Sequence, residues 1–161
     1  MLHQPDENGV YARVYAAPMR RMFAYVMLLG LGLLLLWLVL TAPPSAGWAV
    51  VMIGIAVGAL FLAEKTRRAT MTYLELTSDE LRDSTGRVLV KVEDIEKIDR
   101  GVFAFKPSNG FVLKTKTKAP AAWAPGLWWR IGRRVGVGGV VPSAPAKYMA
   151  EVIGGWVDVA R

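Results

Sequence analysis

Residues 23–40 of this 161-residue chain read FAYVMLLGLGLLLLWLVL, eighteen residues without a charge. As a helix with a rise of about 1.5 Å per residue, they would cover roughly 27 Å, close to the thickness of the hydrocarbon core of a bilayer. A second uncharged run, WAVVMIGIAVGALFLA, occupies residues 48–63 after the short connection TAPPSAG. The two runs predict a transmembrane helical hairpin with helices at 23–40 and 48–63.

A signal peptide is the main alternative for the first run, because Arg13, Arg20 and Arg21 precede it and small residues at 42–46 follow it. The apolar region of a signal peptide usually spans only about 7–15 residues, and no second apolar run is expected after it. A buried hairpin in a soluble protein would need more surrounding structure than this chain offers. We therefore expect the hairpin to span a membrane.

The distribution of charge orients the hairpin. The chain has 20 Lys and Arg against 13 Asp and Glu, a formal net charge of +7. The connection between the apolar runs has no Lys or Arg, whereas Arg20 and Arg21 precede the first run and Lys65, Arg67 and Arg68 follow the second. By the positive-inside rule, both termini are predicted to be cytoplasmic.

Small residues give each predicted helix a narrow face. Gly30 and Gly32 lie in the first run, and Gly54 and Gly58 form a GxxxG pattern in the second. Such faces let helices approach closely. We expect these four glycines to pack the two helices on each other, and homodimerisation or contact with a partner's helix remains the alternative.

The hairpin divides the chain into three parts. Residues 1–22 are predicted to be a mobile cytoplasmic arm, in which His3, the only histidine, has no chemical role. Residues 23–63 form the hairpin, and residues 64–161 form a soluble cytoplasmic domain of about one hundred residues. No cysteine is present, which excludes disulfides and thiolate sites.

The sequence pattern of the soluble part predicts a meander of antiparallel strands. Alternating apolar residues predict strands at 71–76, 80–83, 87–92, 95–105 and 111–117, and periodicity is lost at 119–134 before a further strand begins. Gly136, Gly138 and Gly139 lack the spacing of a phosphate-binding loop and favour a bent strand. The helical spacing of Met149 through Ala160 predicts a C-terminal amphipathic helix that begins near Ser143.

This order of strands and helix, with the segments VEDIEKI and GVFAFKPSNGFVL, resembles bacterial pleckstrin-homology-like (PH-like) domains carried on two-helix membrane hairpins. The resemblance covers about residues 69–160. It implies a barrel of about seven antiparallel strands capped by the C-terminal helix, and a binding or scaffolding module in the bacterial inner (plasma) membrane. Residues of a phosphoinositide site cannot be matched.

The sharpest charge signal is an acid-free stretch between residues 100 and 150, which includes the basic residues Arg100, Lys106 and Lys147. Basic residues with interleaved tryptophans suit an anionic membrane surface. The alternative is a solvated strand face, with one or two tryptophans filling the core. The candidate residues for binding lipid or a partner protein are Lys114, Lys116, Lys118, Trp123, Trp128, Trp129, Arg130, Arg133 and Arg134.

Catalytic chemistry is not expected. No nucleophile and base, and no cluster of metal ligands, can be assembled from the spacing, and Asp79, Asp83, Glu93 and Asp94 are better explained as turn residues. We predict no cofactor and no metal. The function predicted first is a non-enzymatic adaptor or accessory subunit of a membrane-protein complex; the alternative is a module that binds anionic lipid. Nucleic-acid binding is not expected, and a homo-oligomer is left open.

Overall fold

The computed structural model describes residues 4–99 and 107–159. Several predictions fall outside these ranges: His3, the basic residues Arg100 and Lys106, the end of the predicted fourth strand beyond residue 99, and Ala160. Everything below concerns the described residues.

The two apolar runs form helices that are longer than predicted, α1 at Pro18–Thr41 and α2 at Ala46–Ala69. Both are long and apolar enough to cross a membrane. The extra turns lie at the charged ends. Pro18 is suited to the first turn of α1, and the Glu64 carboxylate pairs with Arg67 and Arg68 at i+3 and i+4 in the last turns of α2.

The prediction of a mobile arm at residues 1–22 is wrong, because residues 10–15 form a strand, β1 at Val10–Tyr15. It pairs antiparallel with β2 at Tyr73–Thr77, the first strand after the helical hairpin. Val10, Ala12 and Val14 alternate into the core, and this burial stabilises the strand. The hairpin is therefore inserted between two neighbouring strands, and the described part of the domain comprises residues 10–15, 73–99 and 107–159 rather than beginning at residue 64.

β2 belongs to a four-stranded antiparallel sheet of order β1-β2-β3-β4, with β3 at Glu80–Asp83 and β4 at Val88–Lys91. The predicted strands at 71–76, 80–83 and 87–92 are confirmed with slightly different bounds. The tight turn between β3 and β4 is held by Asp83, whose carboxylate accepts hydrogen bonds from the backbone N–H groups of Thr85 and Arg87.

The second sheet has three antiparallel strands in the order β5-β6-β7: Ile95–Asp99, Phe111–Ala124 and Trp128–Val137. The expectation of irregular structure at 119–134 is wrong, because this segment forms the far half of a long hairpin of β6 and β7. Register shifts between Lys114 and Ala122 interrupt the alternation that a sequence pattern would show. Pro120 lies within this irregular part of β6.

A C-terminal helix, α3 at Ser143–Val159, packs on β1 and β5 and closes the core between the two open sheets. The predicted amphipathic helix is thus confirmed. The core is formed by buried apolar side chains from both sheets and from α3. Its largest fully buried members are Trp128, Phe111, Leu74, Leu76, Leu81, Leu89, Leu113, Leu127, Met149 and Ile153.

Candidate functional site

Only one of the four predicted packing glycines lies between the helices. A Cβ atom on Gly32 would come within 2.7 Å of the Leu60 side chain and 3.1 Å of the Ala56 carbonyl oxygen, so the contact requires glycine. The facing surface of α2 is a stripe of small buried residues that includes Ala56, Ala59 and Ala63. Close helix approach is therefore made by Gly32 against alanines.

The predictions for Gly30, Gly54 and Gly58 as packing residues within the hairpin are wrong, because a Cβ on any of them would meet no atom within 4 Å. Helix geometry explains this result: at about 100° per residue, Gly54 and Gly58 each lie about 200° from Ala56, on the far side of α2. The GxxxG pattern of the second helix faces away from the first.

Hydrogen bonds at the start of α1 join it to the domain and to the end of α2. The Ala17 N–H donates to the Val140 carbonyl oxygen at 2.8 Å. The Arg20 guanidinium donates to the Val141 carbonyl oxygen at 3.2 Å, and that of Arg21 donates to the Thr70 carbonyl oxygen at 3.4 Å. Arg20 therefore ties the start of α1 to the domain backbone, whereas Arg21 ties the start of α1 to the end of α2.

A charged cluster fixes β1 against β2. Arg13 contacts Asp6 at 2.7 Å and Glu75 at 3.0 Å, and Glu75 also lies 3.5 Å from Arg82 on β3. The hydrogen bond to Glu75 raises the pKa of Arg13. The backbone N–H of Val10 lowers the pKa of the Asp6 carboxyl. These groups are partly exposed, so their contribution to stability is modest.

The three alternating lysines of β6 are all exposed, but two of them have local partners. The Lys114 ammonium contacts the Glu96 carboxylate at 2.9 Å, and the Lys116 ammonium donates to the Glu93 carbonyl oxygen at 2.7 Å. Lys118 is exposed as well. The charge of Lys114 is therefore balanced by an acidic residue of β5, whereas Lys116 is held by a backbone carbonyl oxygen in the turn just before β5.

The predicted tryptophan group is divided by the structure. Trp128 is 1% exposed and belongs to the core, not to a surface. The Trp129 ring lies over Gly136, where a Cβ atom would overlap it. Trp123 is 48% exposed, and the Lys65 ammonium of α2 lies 4.8 Å from its ring centroid.

The arginines that follow Trp129 have different roles. Arg130 donates from Nε to the Pro120 carbonyl oxygen at 2.9 Å and from Nη1 to the carbonyl oxygens of Val88 and Leu89 at 3.1 and 3.0 Å. It therefore joins the β6-β7 hairpin to the edge of β4. Arg133 and Arg134 are exposed.

Beside the end of α2, residues of α2, β6 and β7 line an open groove of about 870 Å³. Its floor and rim combine small, apolar and basic side chains, and none of its lining residues is acidic. The groove is lined by Lys65, Ala121, Ala122, Trp123, Trp129, Arg130, Ile131 and Arg134. Trp123, Trp129, Arg130 and Arg134 were predicted to form a site, whereas Lys65 and Ile131 were not assigned to it.

Sequence reasoning missed Lys65 because its proximity to Trp123 depends on the fold of the β6-β7 hairpin. Ile131 is 64% exposed between Arg130 and the glycine at 132. A single isoleucine in a segment without regular periodicity does not indicate a binding site by sequence alone. Only the pairing of β6 with β7 places it beside α2.

Comparisons with known protein families, with curated proteins and with solved structures gave no match. Within residues 4–99 and 107–159, no group of three or more His, Asp or Glu side chains is arranged to hold a metal ion.

Proposed function

We propose that this protein is a non-enzymatic adaptor or accessory subunit of a membrane-protein complex in the bacterial inner membrane. The α1-α2 hairpin spans the bilayer as a multi-pass anchor with both termini in the cytoplasm, and the domain lies against the cytoplasmic leaflet. One observation carries the proposal: β1 before the hairpin pairs with β2 after it. The domain is thereby held in a fixed position at the base of the hairpin instead of swinging on a linker.

The orientation is supported by the charges and contacts at the base of the hairpin. Arg20 and Arg21 at the start of α1, and Arg67 and Arg68 at the end of α2, surround the junction with the domain. The connection between the helices at residues 42–45 has no Lys or Arg. Positive charge retained on the cytoplasmic side would place the domain there.

We further propose that the domain is a variant of the PH-like fold. Support comes from the four-stranded and three-stranded antiparallel sheets and the C-terminal helix that closes the core between them. The variant would carry its membrane hairpin in the connection between the first two strands. Such a domain offers binding surfaces and edges, which suits a scaffolding role.

The free face of α2 supports a partner within the membrane. Gly54 and Gly58 lie on the side of α2 away from α1. A Cβ atom on either glycine would have no described atom within 4 Å. A helix of another membrane protein can approach such a face closely. The adaptor would then hold its partner through α2 and present the domain to it at the membrane surface.

Affinity purification of the tagged full-length chain in a mild detergent tests this proposal. We expect one or more membrane proteins to be recovered in constant proportion with it. The double variant Gly54→Ile/Gly58→Ile should lose them without unfolding, because the added side chains meet open space. Gly30→Ile, at an open position on α1, is the matched control. Recovery of the unmodified chain only as an isolated monomer would overturn the proposal.

A further inference from the structure

We infer that the groove between α2 and the β6-β7 hairpin is a binding site for one anionic phospholipid of the leaflet beside the domain. This inference goes beyond the adaptor role and rests on one part of it, that the hairpin spans a bilayer. Three features of the groove specify the ligand: its position along α2, its charge and its apolar lining.

The position places the groove at the boundary of the apolar span. Lys65 lies four residues before the end of α2, which is about 6 Å of helix rise toward the apolar span, and its ammonium lies 4.8 Å from the ring centroid of Trp123. The Lys65 ammonium also lies 6.0 Å from the ring centroid of Phe61, an exposed residue of the apolar span. With the hairpin in a bilayer, these contacts place the groove beside the end of the apolar span, near the depth of the headgroups.

The charge of the groove requires an anion. Its three cationic residues are not balanced by an acidic lining residue. Arg130 is held by backbone carbonyl oxygens. Lys65 and Arg134 form no ion pair with any residue in the described ranges, which leaves both charges for a ligand. A phosphate between them would be attracted from both sides.

The apolar lining requires a ligand that also has a hydrocarbon part. Trp123 and Ile131 are 48% and 64% exposed, and they flank the small residues Ala121 and Ala122. Apolar side chains gathered on a surface beside a membrane favour contact with lipid, and an indole ring is suited to the headgroup region. A soluble phosphate would leave this lining in water. A phospholipid fills both parts of the groove, with its phosphate between Lys65 and Arg134 and its upper chain segment against Trp123 and Ile131.

Native mass spectrometry of the purified full-length chain, without any partner protein, tests the inference. The probes are phosphatidylglycerol and phosphatidylcholine with identical acyl chains, and soluble glycerol phosphate as the headgroup alone. We expect tighter binding of phosphatidylglycerol than of the other two. Arg134→Gln should weaken its binding about fivefold, since a cation near an anionic lipid contributes about 1 kcal/mol and 1.4 kcal/mol corresponds to tenfold.

Arg133→Gln is the matched control, because Arg133 is exposed and adjacent but does not line the groove. It removes the same charge and should leave the affinity unchanged. Lys65→Gln should weaken binding as Arg134→Gln does, with folding checked by near-ultraviolet circular dichroism. Equal affinity for the two lipids, equal effects of the two arginine variants, or glycerol phosphate bound as tightly as phosphatidylglycerol would each overturn the inference. None of these results depends on whether a partner complex is recovered.

Discussion

Replacing Val14 by alanine tests whether the N-terminal strand is an integral part of the domain. Val14, the fifth of the six residues of β1, is 0% exposed and belongs to the core. The substitution removes two buried carbon atoms at about 0.8 kcal/mol each, and the cavity left behind adds to this cost. We therefore expect the free energy of unfolding of the domain to fall by about 2 kcal/mol, or roughly a thirtyfold change in the unfolding equilibrium.

Urea titration of the full-length chain in detergent micelles, followed by its near-ultraviolet circular dichroism, to which the buried Trp128 contributes, measures this change. Val159→Ala is the matched control, since it makes the same chemical change on a side chain that is 89% exposed. The control should shift the midpoint very little. If Val14→Ala and Val159→Ala gave the same midpoint as the unmodified chain, residues 10–15 would be the mobile arm that their sequence suggested, and the domain would not be fastened on both sides of the hairpin.

Three further predictions concern turns, close packing and pH. Asp83→Ala removes the acceptor for several donors of its own turn, and the same titration should show a loss of about 1–3 kcal/mol. Gly110→Ala would place a Cβ atom against the Val137 carbonyl oxygen, and overpacking of this kind typically costs about 1–3 kcal/mol or more; a stability equal to that of the unmodified chain would contradict the packing. The folded pKa of Asp6 is lowered, so its contribution is complete above an unfolded pKa of about 4 and is lost as the pH falls through the folded value. Below the folded pKa of Asp6, hydrogen exchange at the Val10 amide should be faster than the pH dependence of an unprotected amide alone would give, because the amide loses its carboxylate acceptor. Asp6→Asn should remove this additional pH dependence.

The features that the sequence predicted well are those encoded in local pattern. Two uncharged runs are sufficient to predict α1 and α2, and helical spacing predicts α3. The short strands of the first sheet alternate regularly, so their apolar residues identify them. In each case the burial of one face follows directly from the period of the pattern.

The features that the sequence did not predict depend on contacts between distant segments. Val10, Ala12 and Val14 alternate as the residues of a strand do, but such a short alternation before a long apolar helix identifies a strand only once its pairing with β2 is known. The far half of the β6-β7 hairpin was missed because its register shifts break the alternation. The prediction chose the glycine face of α2, whereas its alanine face packs on α1; both residue types are small enough for close packing, so the sequence does not distinguish the two faces.

The candidate site was predicted in part for the same reason. The acid-free composition of residues 101–150 directed attention to the β6-β7 hairpin, and Trp123, Trp129, Arg130 and Arg134 line one groove. Composition could not separate the core residue Trp128 from its exposed neighbours. It could not show that Arg130 is held by the backbone of β4. Nor could it bring Lys65 to the groove, which requires the tertiary fold.

The depth of two single-cysteine spin labels in reconstituted vesicles is the most direct test of a domain fixed against the bilayer. The chain has no native cysteine, so Ile131→Cys and Ser78→Cys each give one labelled position. Ile131 lines the groove beside α2, whereas Ser78 follows the far end of β2, roughly 16 Å along the strand from Tyr73. We predict that the label at 131 is accessible to oxygen, which is concentrated in the lipid, and protected from a water-soluble relaxing agent, while the label at 78 shows the reverse. Equal exposure of both labels to the aqueous agent would contradict a domain held against the membrane.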